Sequence, residues 1–395
     1  MPRPLSTPRS TGRFVLTTAV GNEAVRAFVP NPLPPTPPVD IDGALRHRLD
    51  RAHVMLGRLD ALTSLLVDPR LFLDSYVRRE AVLSSQIEGT QSSLSDLLVF
   101  EADGADDPSD DVLEVSNYVA ATAHGMARLR EGFPLSLRLI REMHALVLAS
   151  GRGASKQPGE FRRTQNWIGG ARPGTARFVP PPPAELSPCL DALERWLHEP
   201  ADRVPPLIKA ALAHVQFETI HPFLDGNGRV GRLLIVVSLC ADGLLREPLL
   251  YLSLYFKRHR SLYYELLTAV REEGDWERWL RFFVDGVEET ATDAVQRAER
   301  ILERFAIDRV RVAQIPRGGE STVQAYRALQ GRPVHSVASM ARALDMSIPA
   351  ATRALDKLGN AGLVAEITGR RRDRLFAYTS YLELLRTDTD DPFPT

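Results

Sequence analysis

Cysteine is scarce in this chain of 395 residues: Cys189 and Cys240 are the only two, and no metal-ligand spacing relates them. A disulfide framework is excluded, and a reducing compartment, the cytosol, is the expected location. No apolar run reaches the roughly 18 residues that a membrane span needs, so no membrane partner is expected. The opening MPRPLSTPRSTGRF has basic residues with no apolar stretch behind them, which is not the pattern of a secretory signal. Net charge is missing as well. The formal value is −1, so nothing draws the whole chain towards nucleic acid, and any such binding must come from a local patch. The length allows two or three domains with a sizeable core.

What is present falls into three stretches. Residues 1–45 are rich in proline, and NPLPPTPPVDID (31–42) reads as an extended segment laid along a surface, with Phe28 and Val29 available for burial. From 43 to about 305 the reading is mostly helix, by apolar spacing. One helix over 74–89 stops at Gly89, in a C-cap position, and the next starts from Ser92 or Ser93 as N-cap. The acidic EADGADDPSDD (101–111) is a loop. Helices are then expected over 112–129, 135–149, 184–198 and 205–217, from Gly228 to about Ala241, and again after Leu252. The interruption FRRTQNWIGGARPGTARFVPPPP (161–183) reads as a β-hairpin inside this helical region. Residues 311–320 read as a linker. Beyond them, three short helices and two strands around a basic turn resemble a winged helix-turn-helix. Ser347 would cap its recognition helix, and Arg370, Arg371, Arg372 and Arg374 would form a wing able to meet phosphates.

The chemistry concentrates in HPFLDGNGRVGR, residues 221–232. Asp225-Gly226-Asn227-Gly228 must turn tightly and exposes backbone N–H groups. A helix follows at once, so the turn is an anion site on a helix N-terminus. Arg229 and Arg232 add two cationic forks for phosphate oxygens. Asp225 beside a polyphosphate is a natural Mg²⁺ ligand. His221, with an ordinary pKa near neutrality, suits a general base. By residue frequency, eight specified positions in twelve would arise by chance on the order of once in ten million chains of this length.

This stretch resembles the Fic-domain motif, His-x-Phe-x-Asp/Glu-Gly-Asn-Gly-Arg-x-x-Arg, at every specified position. Most Fic proteins are helical enzymes that transfer AMP from ATP to a Ser, Thr or Tyr hydroxyl of a protein. The resemblance implies that His221 takes the hydroxyl proton and that Asp225 holds Mg²⁺ against the α- and β-phosphates. It gives Gly226, Asn227 and Gly228 the anion hole, Arg229 the β-phosphate and Arg232 the γ-phosphate, with Phe223 anchoring the loop. The 161–183 hairpin looks like the Fic flap, where Trp167, Ile168, Gly169 and Gly170 would help to clamp the target. Gly228 separates the chain from a kinase-like branch that has Lys there. A second match, SSQIEG (84–89), fits the family's inhibitory pattern through Ser84, Glu88 and Gly89. Glu88 would pair with Arg232 and leave ATP in an unproductive pose.

The likeness extends over about 10–380, taking in AFVPNPLPP and the stretch 250–287, which helps to wall the nucleotide pocket. It implies a bacterial-type Fic protein of mainly α class: a helical core with a β-hairpin flap, plus a C-terminal winged helix-turn-helix. The domains would be an N-terminal segment over 1–110, with its inhibitory helix at about 74–89, a catalytic core over 111–310, a winged helix over 321–387 and a tail over 388–395. The expected function is an adenylyltransferase restrained by Glu88, acting on a protein hydroxyl that includes its own, with ATP as substrate and Mg²⁺ as cofactor. A homodimer is expected, and oligomerisation is a lever for releasing Glu88. Two alternatives stand beside it. One is AMP removal, or a bifunctional enzyme, at the same site. The other is a nucleotide-sensing regulator that binds DNA, although Pro349, Ala350 and Asp356 offer few base-reading groups and Arg353 and Lys357 would serve the backbone.

Overall fold

The computed structural model describes residues 9–18, 23–65, 70–103, 108–370, 373–387 and 389. It divides into two compact units. The first takes the described residues of 1–57, 117–248 and 255–289; the second takes those of 58–116, 249–254 and 290–395.

The first unit is built around α7 (Pro206–Ile220), in which every residue from Leu207 onwards is buried. A helix that is buried all round cannot be amphipathic, and PLIKAALAHVQFETI shows no polar stripe. Its one cation, Lys209, survives there because Nζ reaches the carbonyls of Leu197 at 3.3 Å and Glu199 at 2.9 Å, and Asp242 Oδ1 at 2.5 Å. These contacts cap the end of α6 (Pro183–Leu197) with a positive charge, which suits a helix C-terminus. Against α7 pack α6, α8 (Asn227–Ala241) and α10 (Arg260–Glu273). The indole N–H of Trp279, in α11 (Trp276–Ala313), donates to Ala211 O at 2.9 Å. The first unit also holds α5 (Leu137–Val147), which packs on α8, and most of α1 (Gly43–Leu65), α4 (Asp110–Arg130) and α9 (Ser253–Arg258), whose remaining residues fall in the second unit.

The N-terminal stretch contains an element that its proline content hid. Strands β1 (Gly12–Thr18) and β2 (Ala24–Pro30) form an antiparallel hairpin with Phe14 opposite Phe28. The residues that follow, 31–42, take no regular structure and lie against the unit. Asn31 O accepts from Gln216 at 2.9 Å, and the Arg9 guanidinium donates to Pro37 O and Pro38 O.

The second unit contains α2 (Arg70–Ile87), α3 (Leu94–Asp103) and the C-terminal elements. Ser93 caps α3: its hydroxyl accepts from Asp96 N–H, and Asp96 returns the bond to Ser93 N–H at 2.9 Å. The acidic loop expected over 101–111 lies partly outside the described residues, and α3 extends to Asp103. The linker expected over 311–320 is shorter, because α11 continues to Ala313 and α12 (Gly319–Gly331) starts just beyond. Then come β3 (Val334–Ser336), α13 (Val337–Ala343), α14 (Ile348–Asn360), β4 (Ala365–Glu366), β5 (Leu375–Ala377) and α15 (Thr379–Arg386). The three strands form an antiparallel sheet in the order β3-β5-β4. Ser347 caps α14 through Ala350 N–H. Neither β3 nor α15 was expected. Arg371, Arg372 and most of the tail lie outside the described residues.

Candidate active site

The motif begins where α7 ends. His221 is the C-cap of that helix, in the left-handed region at φ 49°, and its N–H still bonds Phe217 O at 2.8 Å. A non-glycine residue held there turns the chain out of the helix at the imidazole itself. Five residues later Gly226, at φ 74°, caps α8. A Cβ at Gly226 would lie 3.3 Å from Leu148 Cδ2, so both conformation and space call for glycine.

The loop between them is fastened from inside the unit by four side chains. Asn227 is 2% exposed; its Oδ1 accepts from Phe223 N–H and its Nδ2 donates to Phe223 O, both at 2.9 Å. Asn166 donates to Phe223 O at 3.0 Å and to His221 O at 3.4 Å. Buried Arg162 donates through Nε to His221 O at 2.9 Å and through Nη2 to Ile220 O at 3.4 Å and to Pro181 O. Burial pushes its guanidinium down to about 10. His144 is the fourth. Gly159 N–H donates to its Nδ1 at 2.8 Å, which fixes the other tautomer, so Nε2–H donates to Asp225 O at 3.0 Å. Its ring stacks on Phe223 at 3.6 Å, and burial pushes its pKa down to about 4, so the imidazole is neutral at pH 7. Phe223 is fully buried and also meets Phe161 and Phe217.

The charged motif residues follow at the end of the loop and on the start of α8. Arg229 and Arg232 are 4% and 3% exposed. Arg229 Nη2 is 3.8 Å from Asp225 Oδ1. The Asp225 side chain is 43% exposed, and its Oδ1 also accepts from Gly226 N–H at 2.6 Å. A second layer stands behind α8. His214 donates to Gly231 O at 2.9 Å and accepts from Tyr263 at 2.8 Å, inside a stack with Phe256, Tyr263 and Trp279. Burial pushes His214 down to about 3.

The sequence-predicted residues thus divide. His221, Asp225, Gly226, Asn227, Gly228, Arg229 and Arg232 come together on one loop and the first two turns of α8. The side chain of Asn227 points into the loop instead of out of it. Ser84 and Glu88 belong to the other unit: Ser84 is fully buried on α2, and Glu88 is exposed just past its end, before Gly89 at φ 99°. The 161–183 hairpin is reduced to one antiparallel bridge, Ile168 with Phe178. Gly169 and Gly170 at positive φ, and a 3₁₀ turn over Pro173–Thr175, occupy the place of longer strands. Trp167 packs on Val25, Ala27 and Val179, so the missed β1–β2 hairpin supports this segment. His144, Arg162 and Asn166 were not singled out from the sequence either. Their partners are backbone groups, which leave no residue pattern to read.

A cleft of about 520 Å³ lies along α10, lined among others by Arg177, Arg260, Ser261, Tyr264 and Thr268; no motif residue lines it. Among the described residues no group of three His, Cys, Asp or Glu side chains gathers to hold a metal ion; Asp225 is the one carboxylate in residues 221–232.

Comparison with known proteins places this geometry. Residues 46–127 match the Fic/DOC family N-terminal model and residues 134–239 the Fic/DOC family model. Over 165 residues, 42% of this chain, the sequence is 38% identical to the Protein adenylyltransferase Fic of Drosophila grimshawi and 36% identical to that of Drosophila melanogaster. The match covers 31% and 30% of those proteins, so the chain spans under a third of the length of these relatives. The fold is similar to the crystal structure of a Fic family protein from Desulfovibrio desulfuricans, with a TM-score of 0.55 at 20% identity over 87% of this chain and 98% of that one. The chain therefore contains a Fic/DOC N-terminal region and, around the fastened loop, a Fic/DOC domain.

Proposed function

We propose that this protein transfers AMP from ATP to a Ser, Thr or Tyr hydroxyl of a protein, its own chain included. The observation that carries the reading is the complete motif held on a loop with four internal fastenings, with a base, a carboxylate, a helix N-terminus and two buried arginines within twelve residues. In the reaction the target oxygen attacks the α-phosphorus, the bond from that phosphorus to the bridging oxygen breaks, and pyrophosphate leaves. His221 takes the hydroxyl proton. The first turn of α8 would present the backbone N–H groups of Asn227 and Gly228 to phosphate oxygens, and Gly226, whose N–H bonds Asp225 Oδ1, makes the turn that opens this anion hole. Arg229 and Arg232 hold the β- and γ-phosphates, and their burial strengthens each charge.

Asp225 fits a Mg²⁺ ion: it is an exposed oxygen donor at the lip of an anion site, and the remaining ligands would come from phosphate and water. When bound, the ion supplies charge neutralisation on the phosphates. The stretch 250–287 would help to wall the nucleotide; the cleft along α10 touches no motif residue and lies outside this reading. Trp167, Ile168, Gly169 and Gly170 would meet the target segment. Glu88 would restrain the enzyme by competing with the γ-phosphate for Arg232, with Ser84 belonging to the same motif.

The finer assignments are read in the same way: a bacterial-type protein of the cytosol, a homodimer, and domains over 1–110, 111–310 and 321–387. The order helix, strand, two helices, two strands supports a winged helix over 321–387. DNA contact there would rest on Arg353, Arg370 and Arg374, since Lys357 is committed to Arg317 O and Gly318 O. The deciding experiment gives Glu88→Gly protein α-labelled or γ-labelled ATP. Label on protein from the α position, with γ label in released pyrophosphate, is expected. Protein labelled from the γ position alone would refute AMP transfer.

A further inference from the structure

Within the second unit, α2 is held along one face by the C-terminal end of the chain. Ser75 Oγ bonds Tyr381 OH at 2.7 Å. Arg79 Nη1 donates to Leu385 O at 2.9 Å and to Thr387 O at 2.5 Å. Gln86 Nε2 donates to Thr389 O at 2.8 Å and also to Ser92 O, just before α3, at 3.0 Å, so Tyr381→Phe is the variant that removes a C-terminal tie alone. All three α2 residues are nearly fully buried. At roughly 100° per residue, Ser75, Arg79 and Gln86 fall within an arc of about 40°, and Ser84 lies about 180° away from Ser75. The fastened face is thus opposite the face that carries the inhibitory pattern.

The bonds have a specific chemistry. The last carbonyls of α15 have no partner within their own helix. Two buried arginines supply one: Arg79 from α2, and Arg297 from α11, which donates to Leu384 O. Cations also suit a helix C-terminus electrostatically. Arg79 further lies over the Tyr251 ring at 4.9 Å, so its side chain is fixed on two sides. A second tie runs through Glu101 on α3, which pairs with Arg78 of α2 at 2.9 Å and with Arg332, just before β3, at 3.2 Å.

We propose that α15 and the residues up to Thr389 act as a strap that keeps α2 in its inhibitory placement, so that loosening the C-terminal elements raises AMP transfer. The proposal rests on the reading of Glu88 given above. It makes the C-terminal region a control element of the enzyme, independent of whether that region binds DNA.

The test uses full-length protein with Tyr381→Phe, with Gln86→Leu, and with both. Tyr381→Phe keeps the buried ring and removes one tie, so it serves as the variant least prone to misfold. Two readouts are taken: hydrogen exchange of the α2 amides, with α7 and α8 as internal reference, and label transfer from α-labelled ATP. In the double variant α2 exchange is expected to rise about tenfold or more with α7 and α8 unchanged, and label transfer to rise several-fold towards the level of Glu88→Gly. Adding Glu88→Gly to the double variant is expected to bring no further gain. Unchanged α2 exchange would overturn the strap. Faster exchange with native labelling, while Glu88→Gly alone is activated, would overturn its link to inhibition. If Glu88→Gly is itself no more active than native protein, the reading of Glu88 fails instead, and exchange still decides whether the strap exists.

Discussion

Replacing Asn227 with Ala should unfasten the motif loop and should cost stability as well as activity. The native side chain satisfies both polar groups of the Phe223 backbone, in a residue 2% exposed. After the change Phe223 O keeps Asn166 at 3.0 Å, while its N–H loses the partner shown here. A buried donor left without a partner costs about 1–3 kcal/mol, so the total loss should be about 2–3 kcal/mol. That corresponds to a fall of about 5–10 °C in the unfolding transition of the unit that holds the site. The same release lets His221 and Asp225 drift, and a misplacement of about 1 Å is enough for roughly a hundredfold loss of rate. Asn166→Ala alone should cost about 1 kcal/mol. The double variant should exceed the sum, because Phe223 O then loses both donors. Calorimetry with label transfer on the four proteins makes the measurement. An Asn227→Ala protein that unfolds within a degree of native but has lost label transfer would refute the fastening argument. Its side chain would then be acting on the nucleotide and not on the loop.

Three further outcomes follow from the same packing and chemistry. Gly226→Ala, at φ 74° and 3.3 Å from Leu148 Cδ2, should destabilise by about 1–2 kcal/mol in thermal unfolding, from the left-handed backbone cost together with the close contact. Acid should weaken the fold through buried histidines. Burial holds His214 near 3 and His335 near 4, below the ordinary 6.5, so the unfolded chain binds more protons between those values. Stability is then complete above about pH 6.5 and is lost as pH falls, by about 2 kcal/mol per histidine at pH 5. Urea midpoints between pH 7.5 and 4.5 check this, and a flat profile would contradict it. His221→Ala, made in Glu88→Gly protein, should lower label transfer by about 10²–10⁴-fold, the contribution of a general base, and an undiminished rate would contradict that role.

The sequence was informative where one pattern meant one structure. Helices α4 to α8 showed their apolar spacing and lie within a few residues of expectation. HPFLDGNGRVGR announced both its turn and its charges. The first hairpin did not, because the apolar side chains of β1 fall on both faces: Phe14 is 57% exposed and Leu16 81%, while Val15 between them packs towards Val25, Ala27 and Val179, so hydrophobicity does not mark the buried face. Proline in the following residues drew the reading towards an extended segment laid along a surface. The fastenings were invisible for another reason. His144 on α5 reads as an ordinary helical histidine, and Arg162 as one basic residue among several, until the fold brings carbonyls to them. Nor did the sequence show that the side chain of Asn227, a residue the resemblance gives to the anion hole, bonds the Phe223 backbone.

The most direct measurement is label transfer from α-labelled ATP to protein, comparing native enzyme, Glu88→Gly and Glu88→Gly/His221→Ala. Weak labelling by native enzyme, strong labelling by the single variant and loss in the double variant are expected from a Glu88-restrained transferase with His221 as base. Equal labelling by the single and double variants would remove His221 from the mechanism, and no labelling by any of the three would contradict AMP transfer itself.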